Sequence, residues 1–197
     1  MSKPFLPQPV KLIVSLLTAE RALVEPVCGG LVERFGAVDF TSEPLPFQYT
    51  RYYEPEMGAG LIRHLVSFQE LISPDLLPSI KRATNSIEDT FADDCGRRRI
   101  NIDPGYVALS HVILATCKGF AHRPYLRDGV YADLTLIFRA QTFRALEWTF
   151  PDYGSAEMIQ LLNTIRDGYL KQLRSTSPHT AQSPSPPDSA DGDCRKP

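Results

Sequence analysis

The amino-acid sequence predicts an α+β fold in which helices pack on a mostly antiparallel sheet. Residues 10–91 read in the order βαββα, which is the start of a ferredoxin-like split βαβ arrangement. Strand-like alternation on both sides of Asp128-Gly129 predicts a hairpin. Residues 155–173 have an apolar stripe at helical spacing, which predicts a C-terminal helix. We expect the helices to lie on one face of the sheet.

The first half of the chain predicts two long strands, a helix and an edge strand or extended arm. Residues 10–17 form an apolar run, interrupted only by Lys11 and Ser15, and predict a buried first strand. A helix is predicted next, with Gly36 as its stop signal. Residues 38–49 contain Pro44 and Pro46, and therefore predict an edge strand or an extended arm. Residues 61–71 alternate and predict a second long strand. The helix stripe comprises Leu23, Val24, Val27, Leu31 and Phe35.

The second half begins with a helix start at Ser73-Pro74-Asp75, where Ser is a capping residue and Pro suits the first helical turn. Alternation over 99–103 predicts a strand that ends at a Pro104-Gly105 turn. Residues 107–118 fit either a strand or a strand end followed by a short helix. A strand at 130–138 follows the hairpin, and Ser155 is the expected cap of the last helix.

The composition predicts one globular domain over residues 1–174. From residue 175 to 197 the chain is rich in Ser, Pro, Asp and Thr and has no large apolar residue. Such a segment cannot bury enough apolar surface to offset its ordering entropy, so we expect a disordered tail.

Charge and cysteine usage restrict the function classes. The net charge is −2, which argues against nucleic-acid binding. The 4 cysteines form no close pair, so we expect reduced thiols and a cytoplasmic location, with Cys117 as a small buried side chain. The run 10–17 is too short to cross a membrane, and no signal-peptide layout precedes it. The oligomeric state and any cofactor stay open.

A cluster of polar residues between 97 and 153 is the candidate site. The expected ligand-binding residues are Asn101, Lys118, His122, Arg123, Tyr125 and Tyr131. The catalytic candidates are Asp103, His122 and Asp133. Lys, His and Arg suit an anion, Tyr suits a flat ring, and the carboxylates suit acid–base chemistry or a divalent cation. No metal-ligand spacing is present, and no phosphate-binding loop or hydrolase motif occurs.

Simpler interpretations stay open for several of these residues. Asp103 fits a turn with Pro104-Gly105, and Asp128 fits the hairpin. Asp133 lies mid-strand, where Asp is disfavoured, so we expect it to face solvent or to pair with a cation such as Arg99, Arg123 or Lys118. The aromatic segment 148–153 fits an anchor for the last helix or a wall on which a substrate stacks.

Several long sequence blocks resemble an uncharacterised bacterial family, domain-of-unknown-function family 4416. These are PVKLIVSLL, ERFGAVDFTSEPLPFQYTRYYEPEMG, RRRINIDPGYVAL, TCKGFAHRPYLRDGVYADLTLIF and WTFPDY, and the resemblance spans 9–173. It implies no established reaction, fold or catalytic residue. Some members carry a GTP-binding label, but this chain has neither a P-loop nor an NKxD-like guanine motif. It departs from the family at Pro26, Gly29 and Gly30, which replace an acidic helix-forming run.

Two functions are compatible with these observations. The first is binding, with or without enzymatic turnover, of an anionic small molecule such as a nucleotide or phosphorylated metabolite. The second is a non-catalytic interaction or scaffold module, in which the Pro-rich arm 44–55 packs on a partner. The first requires the candidate side chains to converge in one concave site. The second expects them to be dispersed, with an exposed apolar patch elsewhere.

Overall fold

A computed structural model describes residues 3–176, and these form one sheet with helices on it. The strands are β1 (Val10–Thr18), β2 (Val38–Thr41), β3 (Leu45–Pro46), β4 (Ile62–Ile72), β5 (Ile100–Val107), β6 (His111–Thr116), β7 (Tyr125–Arg127), β8 (Val130–Arg139) and β9 (Thr142–Ala145). The α-helices are α1 (Val24–Phe35), α2 (Glu54–Met57), α3 (Leu77–Thr90) and α4 (Ala156–Thr176).

The sheet confirms the predicted α+β class and its split βαβ start. The strand order is β2-β4-β1-β5-β6-β8-β7, with β3 beside β4 and β9 beside β8. Every pairing is antiparallel. Within the first four strands of this order, α1 connects β1 to β2 and α3 connects β4 to β5, which is the ferredoxin-like arrangement.

Helices lie on both faces of the sheet, so the prediction of a single covered face is wrong. Leu12 and Leu16 pack in one core cluster with residues of α1 and α3. Ile13 packs in a second cluster with Leu162 and other residues of α4. Because successive side chains of a strand point to opposite faces, β1 is buried on both. This explains why residues 10–17 are apolar on both faces of the strand, apart from Lys11 and Ser15.

Pro104 and Gly105 lie inside β5, so the predicted turn is wrong. Pairing between β5 and β6 starts at Gly105↔Leu114, and Pro104 lies just beyond its end, where a residue without an N–H is better tolerated. A Cβ on Gly105 would overlap the Ile113 carbonyl oxygen and lie 2.7 Å from a Leu114 methyl carbon. Gly105 is therefore required by close strand packing.

Side chains of α3 seal the edge of β5 that β6 leaves open. The backbone N–H of Ile102 donates to the Glu88 carboxylate, and the Ile102 carbonyl accepts from Lys81 Nζ at 3.0 Å. The two side chains thus replace the hydrogen bonds of a neighbouring strand. They also bring two charged groups into the protein interior, since Lys81 and Glu88 are both buried.

Other elements agree with the sequence, with local differences. The β7–β8 hairpin is confirmed, with positive φ at Asp128 and Gly129. Residues 107–118 contain the strand β6 and no helix. A 3-10 turn (Pro74–Leu76) precedes α3, and Ser73 makes no capping bond to the backbone. The predicted tail lies outside the described residues, except that α4 extends to Thr176.

Candidate functional site

The candidate site lies on the part of the sheet face that α4 leaves uncovered. Asp103 is paired with Ser15 on β1, which shares its face with Ile13 under α4. Asp133 is on the same face, because it is paired with Leu114 and Leu114 packs in the α4 cluster. The fold therefore brings two of the three catalytic candidates to one surface.

Eight residues surround this surface, most of them joined by side-chain contacts, and we call them the rim. Their members are Phe47, Tyr52, Tyr53, Arg63, Lys118, Arg123, Phe150 and Tyr153. On one side Lys118 Nζ lies 4.7 Å from the centre of the Tyr52 ring and donates to its hydroxyl at 3.0 Å. This hydrogen bond lowers the pKa of the Tyr52 phenol. Tyr52 packs edge-on against Tyr53 at 5.0 Å.

The remaining contacts lie on the other sides of the rim. Arg123 Nη1 donates to the Lys118 carbonyl at 3.2 Å, and its guanidinium lies 5.7 Å from the Phe150 ring centre. Tyr153 follows Phe150 three residues later in the chain, and the Arg63 guanidinium lies 5.2 Å from the Tyr153 ring centre. Arg63 also lies 5.0 Å from the Phe47 ring, and Phe47 packs against Tyr53 at 6.0 Å. The rim thus combines stacking surfaces with three cations.

We call the sheet surface beneath the rim the floor. Asp103 is its charged group. Lys81 Nζ donates to Asp103 Oδ1 at 3.0 Å, and the Asn101 amide donates to Oδ2. Burial disfavours the charged carboxylate, but Lys81, Arg63 and Asn101 together hold the pKa of Asp103 below its ordinary value. The side chain retains 30% exposure, so an ionised acceptor stays within reach of solvent.

Arg63 is buried beside Asp103 and forms an ion pair with Asp152 at 2.9 Å. Its Nη1 donates to the Ser15 hydroxyl, whereas its Nε has no hydrogen-bond partner. The Tyr153 hydroxyl is also buried, and burial raises the pKa of this phenol. At this side of the rim the surface forms a shallow depression at the start of α4. It is lined by Leu45, Pro46, Phe47, Tyr49, Arg63, Asp152, Ser155, Glu157 and Met158.

The second polar group is centred on Asp133. Arg123 Nε donates to Asp133 Oδ2 at 2.8 Å, so the cation that the sequence suggested is present. His122 Nε2 lies 3.8 Å from the same oxygen and has no hydrogen-bond partner. The imidazole stacks on Trp148 at 5.1 Å with a 15° interplanar angle. Trp148 Nε1 in turn donates to the Leu134 carbonyl at 2.8 Å, so it anchors the segment to β8.

Two predicted ligand residues lie away from the rim. Tyr125 and Tyr131 pack against each other at 5.2 Å on the β7–β8 hairpin. Tyr125 is exposed, and Tyr131 covers Gly119, where an added Cβ would lie 3.1 Å from the phenol ring. Cys117, expected to be buried, is exposed, and its sulfur lies 3.7 Å from the Asn85 amide.

Arg63, Lys81, Tyr52 and Tyr53 were not identified from the sequence. Only Arg63 had a usable signal, because it is a charged residue within an otherwise buried strand, where charges occur mainly when paired. Residues 44–55, the Pro-rich arm, contain β3, which belongs to the sheet of this same chain, and the first part of the loop that follows it. Phe47 in this segment is buried.

Comparison with known proteins gives a family. The model of a domain of unknown function, DUF4416, matches residues 8–169. The chain belongs to the DUF4416 family. The match includes every strand and most of α4, so all eight rim residues lie within the family domain. No curated protein and no solved structure matches the chain.

Within residues 3–176, no group of three or more His, Cys, Asp or Glu side chains has the arrangement of a metal site. Asp103 and Asp133 are instead neutralised by Lys81 and Arg123. In the same part of the chain, no helix has both the length and the apolarity that a membrane span requires.

Proposed function

We propose that the rim, together with the adjoining Phe120 and His122, binds an anionic small molecule that carries a flat ring, such as a nucleotide or a related phosphorylated metabolite. The observation that carries this proposal is that three aromatic side chains are exposed to solvent and each contacts a basic side chain. Tyr52 is 61%, Phe120 70% and Phe150 50% exposed. Each of them contacts Lys118, His122 or Arg123. Aromatic faces interleaved with cations suit stacking of a base and pairing of a phosphate.

The charged side chains of this site have different roles. Arg123 is already paired with Asp133, whereas Lys118 has no acidic partner among the described residues and contacts only Tyr52 and its own loop. Lys118 is therefore the group that supplies charge to the anion. The Asp103 carboxylate is an acceptor for a ligand hydroxyl or amino group, because its exposed part is not consumed by Lys81.

Acid–base chemistry at this site would use the two polar groups. His122 and Asp133 lie together, which places an imidazole beside a carboxylate. Asp103 is held ionised, which suits a proton acceptor better than a donor. The free thiols of Cys28, Cys95 and Cys117 fit a reducing compartment such as a bacterial cytoplasm.

The test is isothermal titration of the full chain with nucleoside mono-, di- and triphosphates, including GTP, and with inorganic phosphate, pyrophosphate and unphosphorylated nucleosides as their parts. A ligand with both ring and phosphate should bind more tightly than either part. Lys118→Ala and Phe120→Ala should each weaken binding about tenfold, as expected for a lost charge contact or stacking face. Lys171→Ala, an exposed lysine on α4, is the matched control and should leave binding unchanged.

An interaction module is the second candidate, and one observation favours it. Phe5 is 90% and Leu6 91% exposed in the Pro-rich segment before β1. Exposed large apolar side chains in an extended segment suit a partner groove. If no ligand of the panel binds, or if Lys118→Ala and Phe120→Ala leave the binding of every ligand unchanged, the small-molecule proposal is wrong and this candidate replaces it.

A further inference from the structure

We propose that residues 48–60 form a lid that opens over the Asp103 floor and is latched by Glu56–Arg98 and Tyr52–Lys118. The inference rests on the proposed function, because opening of the loop would widen access to the Asp103 carboxylate, which is already 30% exposed. Tyr52 and Tyr53 belong to this loop. Tyr53 and Met57 pack in one cluster with Leu17, which shares its face of β1 with Ser15, the pairing partner of Asp103.

The loop leaves the sheet and returns to it at one point. The Phe47 N–H donates to the Leu61 carbonyl at 2.9 Å, and Pro46 is paired with Ile62. A compact segment whose ends meet in this way is an Ω-type loop, which can move without changing the strands that carry it. Gly58 and Gly60 have positive φ, of 86° and 75°, between α2 and the return point. Glycine reaches these values, and their neighbours, at low cost, so this stretch serves as a hinge.

Few contacts hold the loop down. Glu56 accepts from Arg98 Nε at 3.0 Å and Nη2 at 2.6 Å, and also from its backbone N–H at 3.2 Å. Both side chains are about one third exposed, so this ion pair is accessible to solvent. On the opposite side the loop is joined to the body by the Tyr52–Lys118 contact.

The apolar surface beneath the loop is a small cluster separate from the two large cores. It consists of Leu17, Phe47, Met57 and Leu61, with Tyr53 at its margin. Only Met57 and Tyr53 leave this cluster when the loop lifts, whereas both large cores keep their packing. Opening therefore costs much less free energy than unfolding, which is the condition for a local opening at equilibrium.

Hydrogen exchange of the full chain tests the lid without a ligand. Arg98→Ala removes the two side-chain bonds to Glu56, and amides within 48–60 should exchange about 5- to 10-fold faster while those of β1 keep their rate. Arg97→Ala is the matched control, because the adjacent Arg97 pairs with Asp93 and not with the loop. Equal rates in 48–60 for all three proteins, or equal acceleration of β1, would overturn the lid.

Access to the surface beneath the loop gives a second readout. Leu17 is buried and packs in one cluster with Met57 and Tyr53 of the loop, so Leu17→Cys places a thiol beneath the loop. In a chain whose 4 native cysteines are replaced by Ser, alkylation of this thiol should be faster with Arg98→Ala than with Arg97→Ala. Labelling at the global unfolding rate in both proteins would overturn the proposal. The hydrogen-exchange and alkylation rates are measured without ligand, so they do not change if no ligand of the panel binds. The lid and the proposed function can therefore be refuted separately.

Discussion

Replacement of Glu88 by Gln should remove a large part of the pH dependence of stability. The Glu88 carboxylate is buried where it accepts the Ile102 N–H, and the charges of Lys81 and Arg98 attract it. Burial outweighs the attraction of Lys81 and raises the pKa of Glu88 from 4.5 to about 7. Gln keeps an acceptor oxygen for the N–H and has no proton to exchange, so the substitution isolates the titration.

The sign follows from proton linkage. The folded protein holds the Glu88 proton more tightly than the unfolded chain, so stability decreases as pH rises from about 4.5 and levels off above about 7. The interval between the two pKa values corresponds to about 3 kcal/mol, at about 1.4 kcal/mol per pH unit. About 2–3 kcal/mol of this should be lost between pH 5 and pH 8.

The assay is urea unfolding of wild type and Glu88→Gln at several pH values in that interval. The wild type should lose about 2–3 kcal/mol relative to the variant as pH rises from 5 to 8. Glu33→Gln, on the exposed face of α1, is the control and should follow the wild type. A constant free-energy difference between wild type and Glu88→Gln across this range would refute the reasoning.

Three substitutions test the packing around the site by thermal or urea unfolding. Gly105→Ala should cost about 1–3 kcal/mol or more, because the new methyl group overlaps the β6 backbone; unchanged stability would contradict the close approach. Asp152→Ala should cost about 3–5 kcal/mol by leaving the Arg63 charge buried and unpaired, and a loss under 1 kcal/mol would show that Arg63 reaches solvent. Trp148→Phe should cost about 1–3 kcal/mol by leaving the Leu134 carbonyl unpaired, and a neutral effect would argue against the anchor.

The sequence determined the elements whose signals are local. Alternation, helical spacing and turn dipeptides act over a few residues, so the long strands β1 and β4, the helix α3 and the hairpin at Asp128-Gly129 were predictable. The pairing of Asp133 with a cation followed from the cost of an isolated charge in a strand, and Arg123 was among the suggested partners.

The tertiary structure alone decided the composition of the candidate site and the covering of both sheet faces. Tyr52 meets Lys118, and Arg63 meets Asp152, only because strand order and register bring distant segments together. Pro104-Gly105 has the local signature of a turn, but contact with β6 keeps it extended. Local patterns fix which conformations a segment favours, whereas long-range packing selects which neighbours its side chains meet, and the latter leaves no short-range trace in the sequence.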